Sequence, residues 1–340
     1  MFGRLLRFFA KDLAMDLGTA NTLIYLRGHG IVLNEPSVVA IRQDDYKVVA
    51  VGRAAREMMG KHGQRIVTIR PLKDGVIADF EVTSIMIKSF LSTVLKRKHF
   101  IKPKLVIAVP TGITSVEKRA VIEAAEQAGA GSVMLIEEPM AAAIGAGLPV
   151  DRPVGSMIVD IGGGTTEVAI ISLFAIAYSE SVRVAGDEAN EAILRYIQRK
   201  HQMIISEILA EQIKIQVGSA IPVGEPVKVQ LTGKEILTGI PKTFFITDEE
   251  VREALQEPVN IIVESVKRAL EKTPPDLAAD IYERGIWLAG GGSLLRGLDE
   301  LIRRETTLNV HVADDPLTAI VRGAGAVIED MEYYKPVFIS

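Results

Sequence analysis

Three glycine-rich turns, each leaving an apolar stretch, carry most of the chemistry this sequence offers: Gly18-Thr19-Ala20, Gly162-Gly163-Gly164 and Gly290-Gly291-Gly292. Glycine lets successive backbone N–H groups converge on an anion with no Cβ in the way, which makes a phosphate cradle. Thr19, Thr165 and Thr166 add hydroxyl donors. Asp16 and Asp160 precede the first two turns. Such carboxylates can hold Mg²⁺ through its waters while phosphate oxygens complete the shell. Any one of these runs alone reads as a tight turn; the set with both aspartates reads as two cradles clamping a polyphosphate.

Glu137-Glu138-Pro139 stands between the first two cradles in sequence, at the end of an apolar run. A carboxylate there can orient or deprotonate a water that attacks a terminal phosphate, or simply cap the next helix. Glu211 and Lys214 are three residues apart and, on spacing alone, read as an ion pair on a helix surface.

Other chemistries lack their residues. No GxxxxGK[ST] loop exists, and GGGTTE fails the dinucleotide GxGxxG pattern at Glu167. His29, His62, His99, His201 and His311 are scattered, without HExxH spacing, and no GxSxG elbow occurs. The absence of cysteine excludes disulfides, zinc–thiolate sites, iron–sulfur clusters and thiol catalysis. With 39 Lys and Arg against 43 Asp and Glu and no basic block, nucleic acid is not the expected partner.

The 340 residues suffice for two domains of ordinary globular composition. The longest apolar stretch, Val168 to Tyr178, is about half the ~20 residues a membrane-spanning helix needs. The start, MFGRLLRFFAKD, lacks a signal-peptide cleavage site but places Phe2, Leu5, Leu6 and Phe9 on one helical face, with Arg4, Arg7 and Lys11 opposite. That is the pattern of a helix lying in an anionic membrane interface, or of a terminus docking on its own domain.

The elements that must position these residues follow a repeat. AMDL-GTAN-TLIYL and SMIVDI-GGGT-TEVAIISL share apolar strand, Asp, glycine turn and apolar strand, so Asp16 and Asp160 hold equivalent places in two similar α/β units. Asn34 to Ser37 reads as a turn, with short helices and strands after it. Thr114 with Glu117 and Thr247 with Glu250 are capping boxes opening helices. VMLIEEP reads as strand into turn, followed by MAAAIGAG, a helix of small residues suited to close backbone approach. Ala189 to Val217 reads as mostly helical, KVQL and KTFFI as strands parted by a Gly233 turn, and the helix after Thr247 as kinked or broken at Pro258. A second small-residue helix spans Ala319 to Val327.

Taken in order, DLGTAN, IEEPMAAAIGAG, DIGGGTTE, AGDE, AEQIK and LAGGGSLL resemble the actin, heat-shock chaperone and sugar kinase superfamily, and within it most of all the MreB family of bacterial actins. The resemblance runs from about Ala14 to Glu329. It implies an α/β actin-like ATPase fold of two duplicated domains, four subdomains in all, around a nucleotide cleft. Residues 1–13 would be the membrane helix. Domain I would span 14–150, with subdomain IB at about 34–74, completed by 320–340; domain II would span 151–319, with subdomain IIB at about 187–247.

For the site it implies ATP held by Gly18, Thr19, Ala20 and Asn21, by Gly162, Gly163, Gly164 and Thr165, by Gly186 and Asp187, by Glu211 and Lys214 flanking the nucleoside, and by Gly290, Gly291, Gly292 and Ser293. Asp16 and Asp160 would serve Mg²⁺ through water, and Glu138, rather than Glu137, would position the attacking water with Thr165. The resemblance further implies slow ATP hydrolysis timing antiparallel double filaments on the inner face of the cytoplasmic membrane, where cell-wall elongation and rod shape are organised. Partners would be other copies of the chain, anionic lipids and the elongation proteins MreC, MreD and RodZ. Phe100 and Ile101 sit where the family has a second apolar membrane loop. Asn21 and Thr22 occupy the neighbourhood where eukaryotic actin carries a phosphate-binding lysine. A chaperone would need a peptide-binding domain after the cleft, and a metabolite kinase an aspartate base and polar acceptor pocket, neither of which is legible.

Overall fold

The structure, a computed structural model, describes residues 12–61, 63, 65–95 and 102–339. The face formed by Phe2, Leu5, Leu6 and Phe9 and the Phe100-Ile101 pair lie outside the described residues.

Two sheets repeat one plan. In the first, the strands run in the order Phe338–Ile339, Ser132–Glu137, Lys104–Val109, Leu13–Leu17, Asn21–Leu26 and Gly30–Pro36. In the second the order is Ala175–Val182, Thr166–Ser172, Ser156–Ile161, Ile286–Ala289 and Val310–Val312. Leu13–Leu17 pairs antiparallel with Asn21–Leu26 and parallel with Lys104–Val109. Ser156–Ile161 pairs antiparallel with Thr166–Ser172 and parallel with Ile286–Ala289. Every residue of both opening strands is buried, as continuous apolar runs covered on both faces should be. Asp16 therefore sits beside Ala108 and Asp160 beside Ala289, each near the carboxyl end of its strand. Open α/β sheets bind ligands beyond that end.

One apolar cluster joins the two sheets. It takes Ala14, Val106 and Ile136 from the first, Ile158, Ala169 and Ile171 from the second, and between them the helices Glu138–Gly145 and Ala319–Glu329. Two smaller three-stranded sheets stand apart, one of Val39–Arg42, Val48–Val51 and Ile66–Ile69, the other of Met203–Ile204, Lys228–Glu235 and Pro241–Thr247.

Several local expectations are revised. Asn34, Glu35 and Pro36 form no turn: they pair with Leu23, Thr22 and Asn21, and Pro36 is tolerated at the end of an edge strand. The helical stretch after Gly186 divides at Gln202, which takes φ 53°, into Gly186–His201 and Glu207–Val217, the second capped by Ser206. Gly233 lies inside Lys228–Glu235 opposite Lys242, and the turn falls at 236–240. The helix Asp248–Lys272 passes Pro258 without a break, held by Leu255, Val259, Ile262 and Val263 buried in the core; tertiary packing outweighs the missing N–H. Glu138 opens its helix instead of lying in a turn. Both capping boxes form as read, with Thr114 accepting from Glu117 N and Thr247 from Glu250 N.

Candidate functional site

The two sheets hold their glycine turns against one another. A Cβ built on Gly163 would stand 2.9 Å from Ala20 Cβ, and one on Gly164 would stand 3.0 Å from Asp74 Cα and 3.1 Å from Thr19 Oγ1. Ser37 braces the first turn from behind, donating from Oγ to Gly18 O at 2.6 Å. The third turn closes on the second: Gly290 takes φ 76°, and a Cβ there would meet Ile161 O at 2.3 Å and Asp160 Oδ1 at 2.7 Å. Only glycine satisfies both the angle and the space.

Between the turns lies a cavity of about 400 Å³. It is lined by Asp16, Gly18, Thr19, Ala20, Asn21, Glu138, Asp160, Gly162, Gly163, Gly164, Thr165, Gly186, Asp187, Glu211, Lys214, Gly290, Gly291 and Gly292. Nearly every residue singled out from the sequence is thus brought to one place. Ser293 is the exception; it is buried, and its hydroxyl donates to Gly290 O at 2.7 Å, so it shapes the third turn rather than lining the cavity. Thr166 is also corrected: its hydroxyl is spent on Val184 O at 2.7 Å. Glu137 does not line the cavity.

Charge is concentrated at the bottom of the cleft. Asp16 and Asp160 are buried, and burial pushes each carboxyl up to about 7, with Asp16 adding to the shift of Asp160. Asp160 Oδ1 has no hydrogen-bond partner. A buried carboxylate oxygen without a donor is costly and suits a cation's hydration shell. No group of three or more His, Asp or Glu side chains forms a protein cage for a metal among the described residues. A divalent ion here would therefore lean on water and phosphate, which is how Mg²⁺ binds. Glu138 is held well above the ordinary carboxylate range by burial, with Glu167, Asp16 and Asp160 pushing the same way.

Glu211 and Lys214 do not simply pair with each other. Lys214 Nζ donates to Gly186 O at 2.7 Å, and its pKa is lowered by burial. Glu211 accepts from Arg56 across the cleft. Arg70 crosses the same gap, reaching Asp187 Oδ1 at 3.2 Å and Glu207 Oε1 at 2.8 Å. Burial raises Asp187 while Arg70 opposes the shift. These cross-cleft arginines, the Gly75 N–H donated to Thr19 Oγ1 at 3.1 Å, and the Asn190 carboxamide lining the cavity were not legible from local sequence. No helix among the described residues is long and apolar enough to cross a membrane.

The chain is similar to known proteins along nearly its whole length. The profile described as MreB/Mbl protein matches residues 10–336. The chain is 52% identical over 332 residues to the cell shape-determining protein MreB of Escherichia coli (strain K12), covering 96% of this chain and 95% of that one. It is 48% identical over 324 residues to the cell shape-determining protein Mbl of Bacillus subtilis (strain 168), covering 95% and 97%. The structure of MreB5 of Spiroplasma citri bound to ADP superposes with a TM-score of 0.90 at 36% identity, over 96% of this chain and 98% of that one; the same protein bound to AMPPNP gives 0.89. Duplicated sheets, facing glycine turns and a match along nearly the whole length place this actin-like chain in the MreB/Mbl family.

Proposed function

We propose that the chain is a membrane-associated, actin-like cytoskeletal protein that binds Mg-ATP in the cleft and polymerises into antiparallel double filaments, organising cell-wall elongation and rod shape. The observation that carries this reading is the closure of two glycine turns from separate sheets on one cavity, Gly163 against Ala20. The names of the relatives, cell shape-determining proteins, and the nucleotides bound by MreB5 support it.

In this reading Gly18 to Asn21 and Gly162 to Thr165 donate N–H and hydroxyl groups to the phosphates from opposite sides. Gly186 and Asp187 stand beside the phosphates, Glu211 and Lys214 flank the nucleoside, and Gly290 to Gly292 underlie the adenosine. Asp16 and Asp160 would hold Mg²⁺ through its waters, and the ion would supply charge neutralisation where the first turn has no lysine. Glu138 and Thr165 orient a water in line with the terminal phosphate. As the water oxygen bonds to phosphorus and the bond to the ADP oxygen breaks, Glu138 takes the water's proton. Burial raises this carboxyl above the ordinary carboxylate range, which makes it a stronger base for that task once it is ionised. Losing the terminal phosphate removes contacts that bridge the two halves, so hydrolysis acts as a timer on the polymer.

The same reading assigns residues 1–13 to a membrane helix, 14–150 with 320–340 to domain I, and 151–319 to domain II, with subdomains at about 34–74 and 187–247. Phe2, Leu5, Leu6 and Phe9, with Phe100 and Ile101, would enter an anionic bilayer on the cytoplasmic side, weakly in one copy and firmly along a filament. MreC, MreD and RodZ are the proposed partners.

The test is pelleting and negative-stain microscopy with Mg-ATP, with and without anionic liposomes, on the full chain and on a deletion of Met1 to Ala10. Paired filaments on vesicles, with vesicle binding reduced by the deletion, are expected. A monomer that binds ATP yet never assembles would overturn the filament and return the cleft to a metabolite kinase. Undiminished vesicle binding by the deletion would move the anchor to Phe100 and Ile101.

A further inference from the structure

Glu167 is fully buried and, beyond pushing up the Glu138 carboxyl, has no task in the scheme above. Neither it nor Thr111 lines the cavity. It stands just beyond the second glycine turn, opposite Asp160 in the strand register. Its side chain leaves its own sheet. Oε1 and Oε2 both accept from the Thr111 backbone N–H at 3.1 Å, and Oε2 accepts from Thr111 Oγ1 at 3.0 Å. Ser181, its register partner on the neighbouring strand, also donates to it. Thr111 belongs to the turn that leaves Lys104–Val109, a strand of the other sheet.

That turn adjoins the proposed hydrolytic residue. Glu137 is the register partner of Val109, so Glu138 and the Pro110-Thr111 turn leave adjacent parallel strands at the same end. The turn also reaches the phosphate cradles. A Cβ on Gly75 would stand 2.7 Å from Pro110 Cγ and 3.4 Å from Thr165 Cγ2, while Gly75 N donates to Thr19 Oγ1. A continuous path therefore runs from the strand of the second turn through Glu167, Thr111, Pro110 and Gly75 to the first turn. Burying a carboxylate is costly unless its oxygens are satisfied. Here the satisfaction comes from the opposite sheet, and two-oxygen acceptance fixes direction as well as distance.

We infer that Glu167 is a positioning residue, which fastens the Pro110-Thr111 turn to the second phosphate strand and so sets the register of Glu138 against Thr165. This deepens the ATPase reading above and rests on it. Glu167 contributes through Thr111 and touches no substrate atom.

The test measures single-turnover Mg-ATP hydrolysis and AMPPNP affinity in parallel on the full chain. Glu167→Ala is expected to keep AMPPNP affinity within about threefold while hydrolysis falls about tenfold or more, the scale of a misplaced catalytic group. Thr111→Ser, which keeps both donors, retains the wild-type rate; Thr111→Val, which keeps only the N–H, loses part of it. Adding Thr111→Val to Glu167→Ala produces no further loss, because the two share one link. A folded Glu167→Ala with wild-type hydrolysis, or full additivity of the two changes, overturns the proposal. Should Glu167→Ala fail to fold, equal rates for wild type, Thr111→Ser and Thr111→Val overturn it, and the graded series supports it. A wild-type chain that binds no AMPPNP would overturn the nucleotide reading itself, and this proposal with it.

Discussion

Gly145 and Gly323 face each other where helices Glu138–Gly145 and Ala319–Glu329 cross, and neither position has room for a Cβ. One built on Gly145 would stand 1.8 Å from Ala319 O, and one on Gly323 would stand 1.8 Å from Ala141 O. Both obstacles are backbone, so no side chain can rotate away. Gly145→Ala or Gly323→Ala is therefore expected to cost about 3 kcal/mol, the upper end for an overpacked core. Denaturant unfolding reads this as a lower midpoint; an unchanged midpoint would mean the helices repack without strain.

The pH dependence of stability follows from Asp16 and Asp160, whose carboxyls rise from the ordinary 3.8 to about 7 on burial. Between those values the folded chain holds protons that the unfolded chain has released, so their contribution is complete below about 4 and is lost as pH rises through about 7. Melting temperature of the nucleotide-free chain, followed from pH 4 upward, should fall less steeply in Asp160→Asn than in wild type. Parallel curves would refute this assignment. Addition of Mg-ATP should stabilise the wild type most above pH ~7, where both carboxylates are ionised.

Arg70 grips Asp187 and Glu207 with separate guanidinium nitrogens, at 3.2 and 2.8 Å, and is partly exposed. Such pairs are worth up to about 1 kcal/mol and weaken with salt. Arg70→Ala should speed nucleotide release about fivefold at low ionic strength, with the difference shrinking as salt is added. Arg70→Lys restores little, because a single ammonium cannot form the fork. Equal release rates in stopped-flow with a fluorescent nucleotide would show that the crossing pairs do not restrain the cleft.

Glu138→Ala removes the carboxylate proposed to take the water's proton but none of the glycine N–H groups. Nucleotide affinity should stay near wild type while phosphate release slows about a hundredfold. Filaments of this variant should outlast those of the wild type. Undiminished phosphate release would remove Glu138 from the hydrolytic step.

Much of the site was legible because it is built from local signals. A glycine turn after an apolar strand announces itself within six residues, and the repetition of Asp16 in Asp160 announces the duplicated sheets. Capping boxes at Thr114 and Thr247 are equally local. What escaped depends on distance along the chain. Arg56 meets Glu211, Arg70 meets Asp187, and Thr111 meets Glu167 only after the two sheets are folded together, and nothing beside these residues marks the contact. Pro36 and Pro258 misled for the same reason. An edge strand and a well-packed helix each absorb a proline that local propensity would use as a break.

The strand Phe338–Ile339 pairs with Ser132–Glu137, and the helix before it packs against Leu13–Leu17. The first sheet is thus completed by a strand far along the sequence from its other members, whereas the strands of the second lie in one uninterrupted stretch from Ser156 to Val312. During synthesis the later half of the cleft can close its core first, while the earlier half waits with an unpaired edge at Ser132–Glu137. Until Ala319–Glu329 and Phe338–Ile339 have emerged, the helix that opens with Glu138 lacks its packing partner and the strand before it lacks its edge pairing.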